Sequence, residues 1–250
     1  MISKSELKYI QSLYHKKTRD KENVFIVEGP KMVAELLESN LETLKVWTVN
    51  DSWLEKYPKS PITVIDELSL AKASHLTTPN EVLAMARIPA SKQPPSTSDR
   101  LFLALDGIRD PGNMGTLIRI ADWFGVDAIL SAPDSVDIFN PKVVQASMGS
   151  IFRMPVFFTE LPSFLKTAMD RVPIYGALLD GAPLGTFPLP LPMNQGIIVI
   201  GNESTGIRQQ VLPFITQAVK IPAFGQAESL NAAVAAAVLL GHIKIPRQAL

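Results

Sequence analysis

Short apolar runs alternate with amphipathic stretches along most of the chain, and the two periods predict strands and helices in turn. In the first part, "VFIVEG" (24–29) reads as a strand and "PKMVAELLES" (30–39) as a helix opened by Pro30 in its first turn. "LKVWTV" (44–49) and "ITVI" (62–65) read as further strands, and "LSLAKAS" (68–74) as a second helix. Past residue 100 the alternation is stronger. Strands are predicted at "LFLAL" (101–105), "DAILS" (127–131), "MPVFF" (154–158), "PIYGALL" (173–179), "GIIVIG" (196–201) and "QAVKIP" (217–222). Helices are predicted around 115–124, 141–148 and 161–170, and "AESLNAAVAAAVLLGHIK" (227–244) has the alanine and leucine density of a buried helix. Apolar strands separated by helices indicate a parallel sheet covered on both faces.

Between the two parts, "IPASKQPPSTSDR" (88–100) sets three prolines and four serine or threonine residues across the pattern, as a linker does. The expected organisation is a small α/β domain over residues 1–90, a linker over 91–99 and a parallel-sheet α/β domain over 100–250. A chain of 250 residues has room for a core in each.

Composition narrows the function classes. With 46% hydrophobic and 19% charged residues the chain is that of a globular protein. A net charge of zero removes the general argument for a nucleic-acid partner, so any such contact must come from local clusters. One cluster stands at the start: Lys4, Lys8, Lys16, Lys17, Arg19 and Lys21 face only Glu6 and Asp20, with Tyr9 and Tyr14 among them. It reads either as a solvated helix or as a phosphate-binding patch in which Lys16, Lys17 and Arg19 are candidate contacts. The absence of cysteine excludes disulfides, thiolate nucleophiles and sulfur-bound zinc. His15, His75 and His242 lack ligand spacing, which argues against a metal. The N-terminus lacks the apolar core of a signal peptide, and no apolar run reaches the roughly 18 residues of a membrane span. The expectation is a cytoplasmic protein that uses neither membrane nor metal.

Three loops at strand ends carry more polar residues than a turn requires: "LDGIRDPGNMGTLIR" (105–119), "IVIGNESTGI" (198–207) and "IPAFGQAESLNAA" (221–233). In an open sheet, ligands bind outside the carboxyl ends of the strands, where such loops converge. Taken singly, Gly201, Gly206 and Gly225 can be turn glycines, and Ser229 with Asn231 a helix cap. Known nucleotide signatures do not fit. "GNMGTL" has the wrong glycine spacing for a dinucleotide fingerprint, and the chain has no Gly-x4-Gly-Lys-Ser/Thr loop. "GNESTG" lacks the order of a nucleophile elbow, which disfavours a hydrolase.

Together the loops resemble the three motifs of the SpoU/TrmH-like family of SPOUT RNA 2′-O-ribose methyltransferases. The first matches through Asn113 and Arg119 in "DPGNMGTLIRIADWFG", the second through Glu203 in "GNESTG", and the third through Ser229 and Asn231 in "SLN" behind an "IP" opening. The likeness spans about residues 101–245 and includes "VVQASMGSIFRMPV" (143–156). "KYIQSLYHKKTRDKENVFIVEGPKMVAELL" is similar to the small substrate-binding domain, related in shape to a ribosomal protein, that precedes the catalytic domain in many members. The chain has "SLNA" where many members read "SLNV", which puts the smaller Ala232 beside the expected cofactor pocket.

The resemblance implies methyl transfer from S-adenosylmethionine to a ribose 2′-hydroxyl of RNA, with ribosomal RNA favoured over transfer RNA by the N-terminal domain. It implies a C-terminal trefoil knot, a cofactor pocket involving Gly201, Asn202, Ile221 and Leu230, and a homodimer in which one protomer can complete the other's site. Asn113 and Asn231 would orient the ribose, and Ser229 would position Arg119 or the nucleotide. Glu203 would hold Arg119 or act as base. A guanidinium is donor-only and protonated, so Arg119 suits a phosphate or the developing alkoxide better than the role of base. Arg109 and Arg153 are further phosphate candidates. Base methylation on the same fold and catalytically silent RNA binding remain as alternatives.

Overall fold

The computed structural model describes residues 2–90, 93–186 and 194–245. They form two compact units. The first holds the described residues up to Ala90 together with Asp137–Arg153, and the second holds 93–136 and the stretch from Met154 onward. Of the expected linker, residues 91 and 92 lie outside the described residues.

In the first unit the chain runs through α1 (Lys4–Ser12), α2 (Lys16–Glu22), β1 (Val24–Glu28), α3 (Pro30–Glu38), β2 (Thr43–Thr48), α4 (Ser52–Lys56), β3 (Ile62–Val64), α5 (Glu67–Ala73) and β4 (Val82–Arg87). The sheet order is β1-β4-β2-β3, with β4 antiparallel to both neighbours and β2 parallel to β3. No element was expected at Val82–Arg87. Its "VLAMAR" holds a single β-branched residue, so local propensity is weak. Pairing on both edges makes it a central strand all the same. Ile10, Leu13, Val24, Ile26, Trp47 and Leu83 lie in the core beneath this sheet, each fully buried large side chain contributing about 1.5–3 kcal/mol.

The second unit begins with β5 (Leu101–Asp106), α6 (Pro111–Trp123) and β6 (Ala128–Ser131). Next comes α7 (Pro141–Ser147), which packs on β1. Residues 137–153 were expected inside the second domain and belong instead to the first unit. Two contacts carry that correction: the ring of Phe139 lies 4.7 Å from that of Phe25, and Asp137 Oδ2 accepts from Arg19 at 2.6 Å. The chain continues with β7 (Val156–Phe158), α8 (Leu161–Ala168), β8 (Ile174–Pro183), β9 (Gly196–Gly201), β10 (Gln217–Lys220) and α9 (Ala232–Lys244).

This sheet is parallel throughout, in the order β10-β8-β9-β5-β6-β7. The central β5 is buried at every position, as a strand covered on both faces requires. From β5 the chain moves outward to β6 and β7, then returns to lay β8 and β9 on the other side. The order thus reverses at the β5/β9 pair, where Asp106 stands opposite Gly201. The crevice beyond such a reversal is the default ligand site. The final helix is less buried than its composition suggested: Ala236, Leu240 and Ile243 face inward, while Val234 and Val238 are exposed.

Arg19 departs from its expected role as an RNA contact. It is 1% exposed, and its guanidinium donates to the carbonyls of Leu13 and Tyr14, both at 2.9 Å, as well as to Asp137. Burial of a guanidinium is offset when charge-assisted partners meet its donors, as they do here at Nη1 and Nη2, while Nε has no partner among the described residues. Arg19→Ala removes those donors and leaves Asp137 and two carbonyls without them, so chemical denaturation is expected to show a loss of about 3–5 kcal/mol in the first unit.

Candidate functional site

Beyond the reversal point the backbone is held by one buried carboxylate. Asp106 closes β5 and is fully buried. Its Oδ2 accepts from the backbone N–H of Arg208 at 2.7 Å, and its Oδ1 accepts from Arg208 Nε at 2.6 Å and pairs with Nη2 at 2.5 Å. The side-chain hydrogen bond to Asp106 raises the Arg208 pKa above its ordinary value against the cost of burial, and the charges of Asp106 and Asp134 add to the rise. Arg208 Nη1 also donates to Asp134 at 3.2 Å, and Asp134 pairs with Arg109 at 3.4 Å. This network ties the loop after β5 to the loop after β9.

The loop after β9 is a tight reversal. Asn202 and Gly206 exchange backbone hydrogen bonds of 3.1 and 2.9 Å. A side chain at Gly201 would place its Cβ 2.2 Å from the Gly206 carbonyl carbon, so only glycine permits this approach. Asn202 Nδ2 donates to the Gly107 carbonyl at 2.8 Å, which joins the same two loops a second time.

The first loop passes into α6 through Asp110, whose carboxylate caps the helix by accepting from the N–H of Asn113 at 2.8 Å, with Pro111 in the first turn. The Asn113 side chain meets both other loops. Its Nδ2 donates to Glu203 Oε1, and its Oδ1 accepts from Asn231 Nδ2 at 2.8 Å. Asn231 Oδ1 in turn caps α9, accepting from the N–H groups of Ala233 and Val234 at 2.9 and 3.3 Å. Asn113, Glu203 and Asn231, far apart in the chain, therefore form one side-chain sequence.

Beside it lies a cleft of about 870 Å³, lined in part by Gly201, Asn202, Glu203, Ile221, Ser229 and Leu230. Residues 221–230 make no backbone–backbone hydrogen bond among the described residues. Their free N–H and C=O groups, with apolar Ile200, Ala232 and Ala235 close by, suit a ligand that combines a heterocyclic edge with an apolar face.

Arg119 is not drawn into the cluster. It is exposed, with no hydrogen bond or ion pair among the described residues. Six helical positions set it about 9 Å along α6 from Asn113 and roughly 240° around. Within the chain, Glu203 therefore holds Asn113 and not Arg119, and the Ser229 side chain bonds to neither. Arg153 donates to Glu35 at 2.8 Å within the first unit. Lys16 pairs with Asp20 at 2.6 Å, and Lys17 is exposed. The sequence reading missed Asp106, Asp134 and Arg208. The available signal was an aspartate ending an unbroken apolar strand, a place where a carboxylate needs a partner.

A parallel sheet with a cleft at its reversal point, framed by three polar loops, defines a ligand-binding α/β domain. Residues 100–241 match the SpoU rRNA Methylase family, and the chain belongs to that family. Residues 4–84 match the MRM3-like substrate binding domain. Among curated relatives, the 23S rRNA (guanosine(2553)-2′-O)-methyltransferase RlmP of Bacillus subtilis is 32% identical over 94% of each chain. The 23S rRNA (uridine(2479)-2′-O)-methyltransferase of Streptomyces viridochromogenes is 28% identical, covering 90% of this chain and 83% of its own. A TrmH-family structure from Porphyromonas gingivalis superposes with a TM-score of 0.88 at 35% identity over 98% of both chains. The AdoMet-bound rRNA methyltransferase from Sinorhizobium meliloti gives 0.85 at 25%, covering 97% of this chain and 96% of its own.

Arg208→Ala leaves the buried Asp106 carboxylate with a single backbone donor. Because Arg208 is itself about a third exposed, the expected cost is about 2–3 kcal/mol, below that of a fully buried pair and measurable by urea denaturation.

Proposed function

We propose that this protein transfers the methyl group of S-adenosylmethionine to a ribose 2′-hydroxyl of ribosomal RNA. The observation that carries this reading is the Asn113 side chain, which joins Glu203 and Asn231 at the edge of a cleft lined by Gly201, Ile221 and Leu230. The names of the relatives that match most of the chain favour ribosomal over transfer RNA.

Bound S-adenosylmethionine supplies an electrophilic sulfonium methyl. The chain must hold the acceptor hydroxyl and accommodate its proton. Asn113 and Asn231 each use one amide N–H within the cluster and retain one to orient ribose oxygens. Glu203 has Oε2 free of hydrogen bonds among the described residues, which supports a role for it as the acceptor of the proton. Arg119 offers donors only, so it binds a phosphate or the developing alkoxide.

Its place on another face of α6 is explained if it serves the site of a second copy. Among the described residues no helix is long and apolar enough to cross a membrane, yet the packed helices α6 and α9 expose Trp123 at 82%, Val234 at 48% and Val238 at 40%. Large apolar side chains grouped on two adjacent helices mark a protein interface. These faces support a homodimer as the working form, with Arg119 acting across the interface, and the resemblance to the family adds a cytoplasmic setting and a trefoil knot at the C-terminal motifs.

The test is transfer of radiolabelled methyl to unmodified ribosomal RNA, followed by digestion to nucleosides. A labelled 2′-O-methylnucleoside is expected; a labelled base would reject the ribose as acceptor. Arg119→Ala should lower kcat about 100-fold or more while cofactor affinity is preserved, and Glu203→Gln should act on kcat in the same direction. Mixing the two variants should restore part of the activity if the arginine acts in trans; no recovery would place it in cis. Sedimentation is expected to report twice the 27.3 kDa chain. Trp123→Glu should shift the species toward monomer and reduce turnover with it.

A further inference from the structure

The first unit carries a polar cluster that the methyl-transfer site does not use. Glu28 ends β1 and is 7% exposed. Its Oε1 accepts from the hydroxyl of Tyr14 at 2.6 Å and from the backbone N–H of His75 at 3.3 Å, and its Oε2 accepts from the hydroxyl of Ser74. Burial, followed by the adjacent Glu28 carboxylate, pushes the Tyr14 phenol up from its ordinary pKa, so it remains a donor across the working pH range. The same cluster thus fixes both Tyr14 and the backbone at His75.

The two rings are stacked. The imidazole of His75 lies 3.5 Å from the Tyr14 ring, with 6° between the planes. Tyr14 is half-buried against the core of Ile10, Trp47 and Leu70, whereas His75 is exposed and makes no other ring contact among the described residues. A histidine needed only to fill space would be expected to turn inward. This one lies flat on Tyr14 and faces outward, and the Glu28 carboxylate anchors its backbone N–H, the Tyr14 hydroxyl behind it and the adjoining Ser74. Lys17 and Lys72 each stand three positions from a ring in the chain, and both are exposed.

Unpaired RNA bases stack on aromatic side chains, histidine included, while lysines nearby meet the phosphates. We propose that His75, backed by Tyr14, is a stacking platform for an unpaired base of the RNA substrate. The platform rests on the reading of this chain as an RNA methyltransferase, and it adds to that reading a specific contact outside the catalytic unit. Rigidity is what the cluster contributes, because a ring already fixed loses little freedom when a base is laid on it.

The experiment compares the full-length wild type, His75→Ala and His75→Phe in binding an unmodified 23S ribosomal RNA transcript over a series of salt concentrations. Affinity for S-adenosylmethionine is measured in parallel as a check on the fold. His75→Ala is expected to weaken RNA binding on the order of tenfold and to leave both cofactor affinity and the slope of log affinity against log salt unchanged. His75→Phe is expected to restore the affinity, since stacking needs a ring and not a charge. Wild-type affinity in the alanine variant would overturn the platform. So would a loss that the phenylalanine variant fails to repair and that comes with a salt slope lower by about one, the mark of a phosphate contact. Methyl transfer to the same transcript separates the two readings: RNA that is bound but never methylated by the wild type counts against the proposed reaction, while the comparison of affinities still decides the platform.

Discussion

A carboxylate removed from water at the end of a central strand must be met by donors, and Asp106 is met by Arg208 from the loop beyond the adjacent strand. Because β5 and β9 are neighbours in register, that one compensation holds the first two polar loops at a set distance. The Asn202 contact to Gly107 repeats the tie, and Asp134 extends it to Arg109. Only with both loops fixed can the short amide of Asn113 span from Glu203 to Asn231. In the proposed reaction this arrangement is in place before a ligand arrives, and preorganised donors and acceptors need no rearrangement during the chemical step.

Three arginines show how burial decides the use of one side chain. Arg19 is enclosed, donates through its two terminal nitrogens to two carbonyls and a carboxylate, and acts as an internal fastener. Arg208 is partly enclosed and fastens loops. Arg119 is exposed and unpaired among the described residues, at little cost because water solvates it. A cation left without an internal partner is also available to an anionic substrate.

The two units divide the work in a way their charges reflect. The catalytic unit gathers amides, one free carboxylate oxygen and open backbone groups around a cleft suited to a small cofactor. The other unit pairs much of its basic surface internally, as with Lys16 to Asp20 and Lys45 to Glu6. With zero net charge over the chain, long-range attraction for RNA is weak. Recognition then depends more on fixed short-range contacts, of which a rigid aromatic face is one.

Most strands and helices of the catalytic unit were legible in the sequence, because apolar period is a local property, although α6 begins at Pro111, ahead of the expected 115. The family resemblance pointed to Asn113, Glu203 and Asn231, and the structure brings these three side chains together in one hydrogen-bonded cluster. Tertiary structure decided the rest. Val82–Arg87 became a central strand through pairing on both sides, against a weak local preference. Arg19 was drawn inward by Asp137, 118 positions away, and Asp106 was matched to Arg208 across 102 positions. Arg119 was separated from the residues it had been grouped with by the rotation of a single helix. Sequence patterns carry periodicity and residue chemistry, whereas the partner of a buried charge depends on which distant segments the packed sheet brings together.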